Sequence, residues 1–268
     1  MMDWIMDTYA NLSGPMNRHV VRGVVTGKSL AVGGSLGREA ATGQGVLYTL
    51  RHWCGEVGER LDTLSVGIQG FGNVGGHFGR LAQEAGCKVV TVADHTGAIR
   101  NTEGIDATAL LAYVKEHGGI AGFDGAEAID GEEFFRTPVD VFVPAALENQ
   151  ISAERAEALP VRIVIEAANG PTMEDAEPIL ARRGIEIIPD ILANAGGVIV
   201  SYFEWLQNKT ALSWTEQEVD ERLRTILWKA CDDVVAQRAD VGCTRREAAY
   251  CVALSRLAAA YDSRGIFP

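Results

Sequence analysis

The stretch Leu64–Gly75, LSVGIQGFGNVG, constrains the fold more than any other part of the chain. Apolar Leu64, Val66 and Ile68 read as a short strand that runs into Gly70-Phe71-Gly72-Asn73-Val74-Gly75, a complete G-x-G-x-x-G. Glycine is needed three times for different reasons. Gly70 permits the tight turn, Gly72 lets backbone N–H groups approach a pyrophosphate, and Gly75 lets the following helix pack closely on the strand. The N-terminus of that helix adds partial positive charge. A chain with 30 glycines matches some spacings by accident, so the neighbours decide. After a helical stretch (His77–Ala85, apolar at Phe78, Leu81, Ala82 and Ala85) comes a second apolar run, Lys88–Ala93, ending in Asp94. An acid about 20 residues past the glycines, at the end of the second strand, stands where a ribose hydroxyl would be held.

The rest of the chain extends this pattern. Strands are expected at Val139–Val143, Arg162–Glu166 and Ile185–Ile188, with helices at 40–59, 106–116, 152–159 and 173–183. A further helical piece near Glu132–Phe135 interrupts an otherwise loop-like 117–138. Strands rich in valine and isoleucine, separated by helices, indicate a doubly wound α/β fold: a Rossmann-type, mostly parallel sheet with helices on both faces. Ligands in such sheets sit beyond the carboxyl ends of the strands. Those ends carry Pro144-Ala145-Ala146, Ala167-Ala168-Asn169-Gly170 and Asn194-Ala195-Gly196-Gly197, which should converge with the glycine loop on one rim. The termini are helical. Residues 1–12 place Trp4, Ile5, Tyr9 and Leu12 at helical spacing, and Thr215-x-x-Glu218 and Thr244-x-x-Glu247 are capping boxes opening helices near 216–238 and 245–261. The expected division is a linker over 1–35, the dinucleotide-binding domain over 36–244, and a C-terminal helix and tail over 245–268.

Several function classes are disfavoured. A net charge of −12 argues against nucleic acid or an anionic membrane surface as partner. No run of about 18 apolar residues and no basic-then-apolar leader is present. Five scattered cysteines without CxxC look like reduced cytosolic thiols, so a cytoplasmic protein is expected. The five histidines show no ligand spacing, so no metal is expected. Gly23–Ser29 imitates a P-loop but has three residues between its glycines where four are required.

Taken together, the motifs resemble the cofactor-binding portion of glutamate dehydrogenase, of the Glu/Leu/Phe/Val dehydrogenase family. The resemblance covers essentially the whole chain. It rests on Met6-Asp7-Thr8-Tyr9, Val24–Lys28, Gly33–Arg38 with Ala41-Thr42-Gly43, Gly70–Gly75, Pro144–Gln150, Asn169–Thr172, Asn194–Gly197 and Ser201-Tyr202-Phe203-Glu204-Trp205. It implies NAD or NADP as cofactor, hydride transfer from glutamate to give 2-oxoglutarate and ammonia, and a homo-oligomer. It implies Arg38 and Thr42 near the nicotinamide, Asn169 on the adjoining ribose and Asn194 as a further contact on that side. Ala145 and Ala146 would pass along the cofactor, and Ser201 would meet the side-chain carboxylate of glutamate. Asp94 favours NAD, because it would repel a 2′-phosphate; His95 and Arg100 could meet one.

The family's glycine-flanked substrate lysines and its proton-transfer aspartate have no counterpart here. The lysines are Lys28, Lys88, Lys115, Lys209 and Lys229, none in such a motif. No catalytic residue is therefore assigned, and this chain alone is expected to be catalytically incomplete. The competing expectations are a non-catalytic dinucleotide-binding or interaction module and a dehydrogenase for another amino acid. Ser201 and the NAGG/SYFEW pair disfavour the latter.

Overall fold

The computed structural model describes residues 1–13 and 21–265. Part of the glycine-rich stretch before Arg38 (14–20) and the final Ile266-Phe267-Pro268 lie outside these. A seven-stranded sheet has the order β4-β3-β2-β1-β5-β6-β7. Its strands are β1 (Ser65–Gln69), β2 (Lys88–Asp94), β3 (Gly97–Arg100), β4 (Glu127–Ile129), β5 (Val141–Pro144), β6 (Ile163–Ile165) and β7 (Glu186–Ile188). The five strands β2-β1-β5-β6-β7 are mutually parallel. The chain leaves β1 towards one edge and returns to its other side as β5, which creates the crevice where such sheets bind ligands.

The apolar runs lack polar alternation because both faces are covered. In β5, Val141 and Val143 join the larger core while Phe142 joins the smaller one; Ile163, Ile165 and Val164 of β6 divide in the same way. Fully burying such a side chain contributes roughly 1.5–3 kcal/mol. The larger core includes residues of α2 (Ala41–Val57), α3 (Asn73–Glu84), α4 (Ala107–His117) and, further along, α8 (Asp190–Ala193), α9 (Gly196–Thr210), α10 (Glu216–Val241) and α11 (Arg245–Arg264). The smaller core draws on α5 (Gly131–Arg136), α6 (Ala153–Ala158) and α7 (Glu177–Arg182).

Two antiparallel additions were not expected. β3, just after Asp94, pairs back onto β2, and β4, within the stretch 117–138 whose sequence is loop-like, pairs onto β3. Both are short, and β4 is largely exposed, so neither shows a legible apolar period. The helix expected over 173–183 is shorter than its apolar pattern: α7 begins at Glu177 with a proline in its first turn, and Gly184 follows it in the left-handed conformation. Both capping boxes form. In each, the backbone N–H of the threonine donates to the glutamate and holds its carboxyl below the usual range.

α1 (Met2–Ser13) buries no residue and leaves Trp4 and Leu12 exposed. It is tied down by the Ser29 N–H donating to Asp3 Oδ1 at 2.9 Å. Cys54, Cys87 and Cys231 are buried free thiols, which burial pushes up to about 11, about 12 and about 12.

The segment leading into α2 is fastened to α9 by a buried ion pair. Lys28 Nζ reaches Glu204 Oε1 at 2.5 Å and the Val25 carbonyl at 2.6 Å, both Lys28 and Glu204 side chains being fully buried. Glu204 also accepts the backbone N–H groups of Gly27 and Lys28. Removing one partner strands the other charge in the interior. Glu204→Gln is therefore expected to cost about 3–5 kcal/mol, read as a lowered urea midpoint at unchanged m-value; a loss below about 1 kcal/mol would contradict the role given to this pair.

Candidate dinucleotide-binding site

The glycine loop is built as its spacing requires. Gly70 has φ +91°, and a side chain there would stand 2.8 Å from the Ala145 carbonyl oxygen. A Cβ at Gly75 would lie 1.8 Å from the Gly70 carbonyl oxygen, so α3 touches the end of β1 backbone to backbone. Gly72 differs. A Cβ there meets nothing within 4 Å, and Gly72 caps α3 without any side-chain bond to the helix's first N–H groups. Those groups have no intrahelical acceptor, and the helix dipole makes them an anion site. Asn73 is partly engaged, donating from Nδ2 to the Glu39 carbonyl at 2.9 Å. Phe71 is buried, its ring in the core, so only its backbone belongs to the loop.

Beside the loop lies a cleft of about 550 Å³ that brings together Arg38, Thr42, Val74, Ala145, Ala146, Asn169, Asn194 and Ser201. Five places deliver them: the turn into α2 with its first residues, the start of α3, the ends of β5 and β6, and the junction of α8 with the first turns of α9. Asn194 Nδ2 donates to Asn169 Oδ1 at 2.7 Å, and Arg38 Nε donates to Ser201 Oγ at 3.0 Å. The strand-end segments are stitched together as well. Asn149 N–H donates to the Gly170 carbonyl and Gln150 N–H to that of Pro171. Leu147, Glu148 and Val198 also line the cleft. Leu147 and Glu148 fall within PAALENQ, but nothing in the sequence distinguishes them as lining.

Asp94 is placed at the end of β2 as expected, but its carboxylate already has work within the chain. Oδ1 accepts from the Thr96 N–H (2.7 Å) and hydroxyl (2.6 Å), and Oδ2 accepts from the Ile120 N–H at 3.0 Å. Its side chain is 7% exposed. A carboxylate offers about four acceptor positions, so one remains on Oδ2, beside exposed His95, whose Nδ1 is 3.9 Å away. Arg100, the other candidate for a 2′-phosphate, is taken up by Glu127 and Glu133.

Behind the two asparagines sits a charged cluster that the sequence did not announce. Glu166, fully buried at the end of β6, accepts from the Asp190 N–H and from Arg246 Nη2 at 2.8 Å. Arg246, in the first turn of α11, also reaches Glu177 and Asp190. Burial alone would lower its pKa, but the bonds to Glu166 and Glu177 outweigh that and raise it above the ordinary arginine value. The guanidinium stays charged, as the buried Glu166 requires.

A strand–glycine loop–helix unit with an uncapped helix N-terminus, opening on a polar cleft at the crossover of a parallel sheet, defines a dinucleotide-binding type of domain. Comparison with known proteins narrows this. The family model for Glutamate/Leucine/Phenylalanine/Valine dehydrogenase matches residues 33–265, and the chain belongs to that family, of which it carries the dinucleotide-binding domain. It is 45% identical to the glutamate dehydrogenase of Thermotoga maritima, and 42% identical to the NADP-specific glutamate dehydrogenase A1 of Halobacterium salinarum. Identity with the NAD-specific glutamate dehydrogenase of Clostridioides difficile is also 42%. These alignments take in 100%, 100% and 99% of this chain but only 64%, 64% and 63% of the relatives. Among solved structures, a hetero-hexameric glutamate dehydrogenase from Thermus thermophilus in a Leu-bound form superposes with TM-score 0.92 at 35% identity, over 100% of this chain and 62% of that one. The Peptoniphilus asaccharolyticus glutamate dehydrogenase gives 0.84 at 38%, over 99% and 62%.

Asp94→Ala removes the acceptor of three N–H and O–H groups at the rim. It is expected to destabilise the chain by about 1–3 kcal/mol and to speed amide exchange at Thr96 and Ile120, measured by hydrogen–deuterium exchange. Unchanged protection at both amides would show that Asp94 does not hold this turn.

Proposed function

We propose that the chain binds a nicotinamide dinucleotide in this cleft and serves as the cofactor half of a glutamate dehydrogenase. The observation that carries the reading is Gly72: open space stands over the unpartnered N–H groups of α3, next to a cleft lined by Thr42, Asn169, Asn194 and the Arg38–Ser201 pair. Such a cofactor, when bound, would supply the acceptor for hydride from Cα of glutamate; the resulting imine would then be hydrolysed by water to 2-oxoglutarate and ammonia. The chain's own residues do the holding. The first N–H groups of α3 bind the pyrophosphate, and Ala145 and Ala146 flank the cofactor. Arg38, Thr42, Asn169 and Asn194 orient its nicotinamide half, while Ser201, which accepts from Arg38, meets the side-chain carboxylate of the substrate. Fixing both reactants in line supplies a large part of the acceleration in such reactions.

Among the described residues lining the cleft, Arg38 and Glu148 are the charged ones, and no lysine is present to take up the substrate's proton. The chain by itself accordingly performs no turnover. The observation that favours a second reading, a non-catalytic dinucleotide-binding module, is this same gap. NAD is the preferred cofactor, since the free acceptor position on Asp94 suits a ribose hydroxyl and repels a phosphate; NADP binds more weakly. The exposed apolar residues of α1 (Trp4, Leu12) and α11 (Leu254, Leu257, Tyr261) support association into an oligomer.

Titration of NADH fluorescence with this chain is expected to show saturable binding, with no glutamate-dependent reduction of NAD in a parallel assay. No binding would overturn the cofactor reading, and measurable turnover would overturn the incompleteness. The loop gives a sharper test. Gly72→Ala is expected to keep the thermal midpoint while weakening NADH about tenfold or more, the scale of one lost backbone bond to a charged group. Gly75→Ala, whose Cβ would lie 1.8 Å from a carbonyl oxygen, should lower the midpoint as well. Equal behaviour of the two variants in both measurements would contradict this assignment of roles.

A further inference from the structure

We infer that Arg246 is a positioning residue for the nicotinamide half of the site, acting from α11 on the Asn169–Asn194 pair through Glu166 and Asp190. The inference rests on the cofactor reading above and adds to it a residue that lines no part of the cleft. The path is short and continuous. Arg246 Nη2 donates to Glu166 Oε1 at 2.8 Å, and Arg246 Nη1 reaches Asp190 Oδ1 at 3.4 Å. Glu166 Oε2 accepts the Asp190 N–H at 2.9 Å, and Asp190 Oδ2 accepts the Gly170 N–H at 2.8 Å. Asp190 opens α8, whose last turn closes with the Asn194 N–H donating to the Asp190 carbonyl at 3.1 Å. Gly170 directly follows Asn169, and the two asparagines are joined at 2.7 Å.

Three features make the guanidinium the keystone of this path. Glu166 is fully buried, so its charge needs a compensating cation, and Arg246 is the one ion-pair partner it has among the described residues. Asp190 and Glu177 crowd the same point with two more carboxylates, which would repel one another and Glu166 without it. The planar fork can serve three acceptors at fixed angles, which an ammonium cannot. With the fork removed, Glu166 and Asp190 no longer share a fixed geometry. The two loops they hold then lose their mutual register.

The sheet topology makes the effect directional. The adenosine half of a dinucleotide lies over β1 and β2, and the other half over β5 and β6, beyond the crossover. Arg246 supports the β6 and β7 ends only. The test compares Arg246→Lys with wild type in titrations of NADH and of ADP, which occupies the adenosine side alone. NADH affinity is expected to fall about tenfold, the scale of one hydrogen bond lost at the nicotinamide end, with ADP affinity changed less than twofold. Glu177→Gln alters a partner that touches neither loop and is expected to leave both ligands unchanged. Equal losses of NADH and ADP in Arg246→Lys, no loss of either, or an NADH loss as large in Glu177→Gln would overturn the inference. If Arg246→Lys does not fold, Asp190→Asn serves in its place: it keeps an oxygen for the Gly170 N–H but drops the charge facing Arg246, and the same NADH-only loss is expected. Wild-type chain that binds ADP but not NADH would overturn the inference while leaving the adenosine side standing. Binding of neither would fell the cofactor reading itself.

Discussion

The site depends on one packing constraint: α2 lies in backbone contact with α3 on one side and with α9 on the other. A Cβ at Gly43 would stand 2.7 Å from the Phe78 amide nitrogen, and one at Gly45 would stand 3.0 Å from Gly196 Cα. From the opposite side, a Cβ at Gly196 would lie 2.2 Å from the Ala41 carbonyl oxygen. Interhelical distances this short exist only where side chains are absent. They draw together Arg38 and Thr42 at the start of α2, the helix carrying the glycine loop and the helix carrying Ser201. Any of these glycines widened to alanine pushes a wall of the cleft outward, because close-packed interiors do not absorb a methyl group without moving. The cleft is thus a by-product of helix packing as much as of strand ends.

The charge arrangement follows from that geometry. A chain of net charge −12 offers a polyanion little overall attraction, so the local field must supply it. The first turns of α3 and α9 line the cleft, and the N-terminus of α3 has no side-chain cap over its first N–H groups. Glu148 lines the cleft, but other acidic groups are engaged within the chain. Glu166 is neutralised by Arg246 behind β6, Glu204 by Lys28 beneath α9, and three of the acceptor positions of Asp94 are filled, two by Thr96 in its own turn and one by the distant Ile120 N–H. Glu166 and Glu204 each sit within a few residues of a cleft residue, and each is held by a cation that does not line the cleft.

This explains what could be read from the sequence and what could not. The five parallel strands were legible because both-face burial leaves an unbroken apolar run, and the rim could be inferred from where those runs end. Arg38, Thr42, Asn169, Asn194 and Ser201, scattered over more than half the chain, meet at that rim. The strands β3 and β4 escaped notice because four and three residues are too few to display a period. Phe71 was grouped with the loop by position, yet its ring is core. The internal bonding of Asp94 was invisible for another reason: its partner Ile120 lies 26 residues on, in a segment that reads as loop. Arg246 had no local signal at all. It looks like one of two arginines opening a surface helix, and only the fold sets it against a glutamate 80 residues earlier.

The same distinction bears on how half a site can be stable. Exposed Val198 and Leu147 stand at the margin of a cleft whose floor is polar, and exposed Tyr202 and Trp205 stack against each other further along α9. Apolar residues around a polar floor would exclude water only if something covered them. Exclusion of water would strengthen every charge interaction inside, including those of the Arg38–Ser201 pair. The buried ion pairs hold the floor rigid without that cover, since their own desolvation is complete within this chain. Under the proposed function, cofactor affinity therefore belongs to the floor and survives in isolation, whereas proton transfer needs a group the floor does not contain. Binding and turnover are separable properties of this fold because different residues, at different depths, carry them.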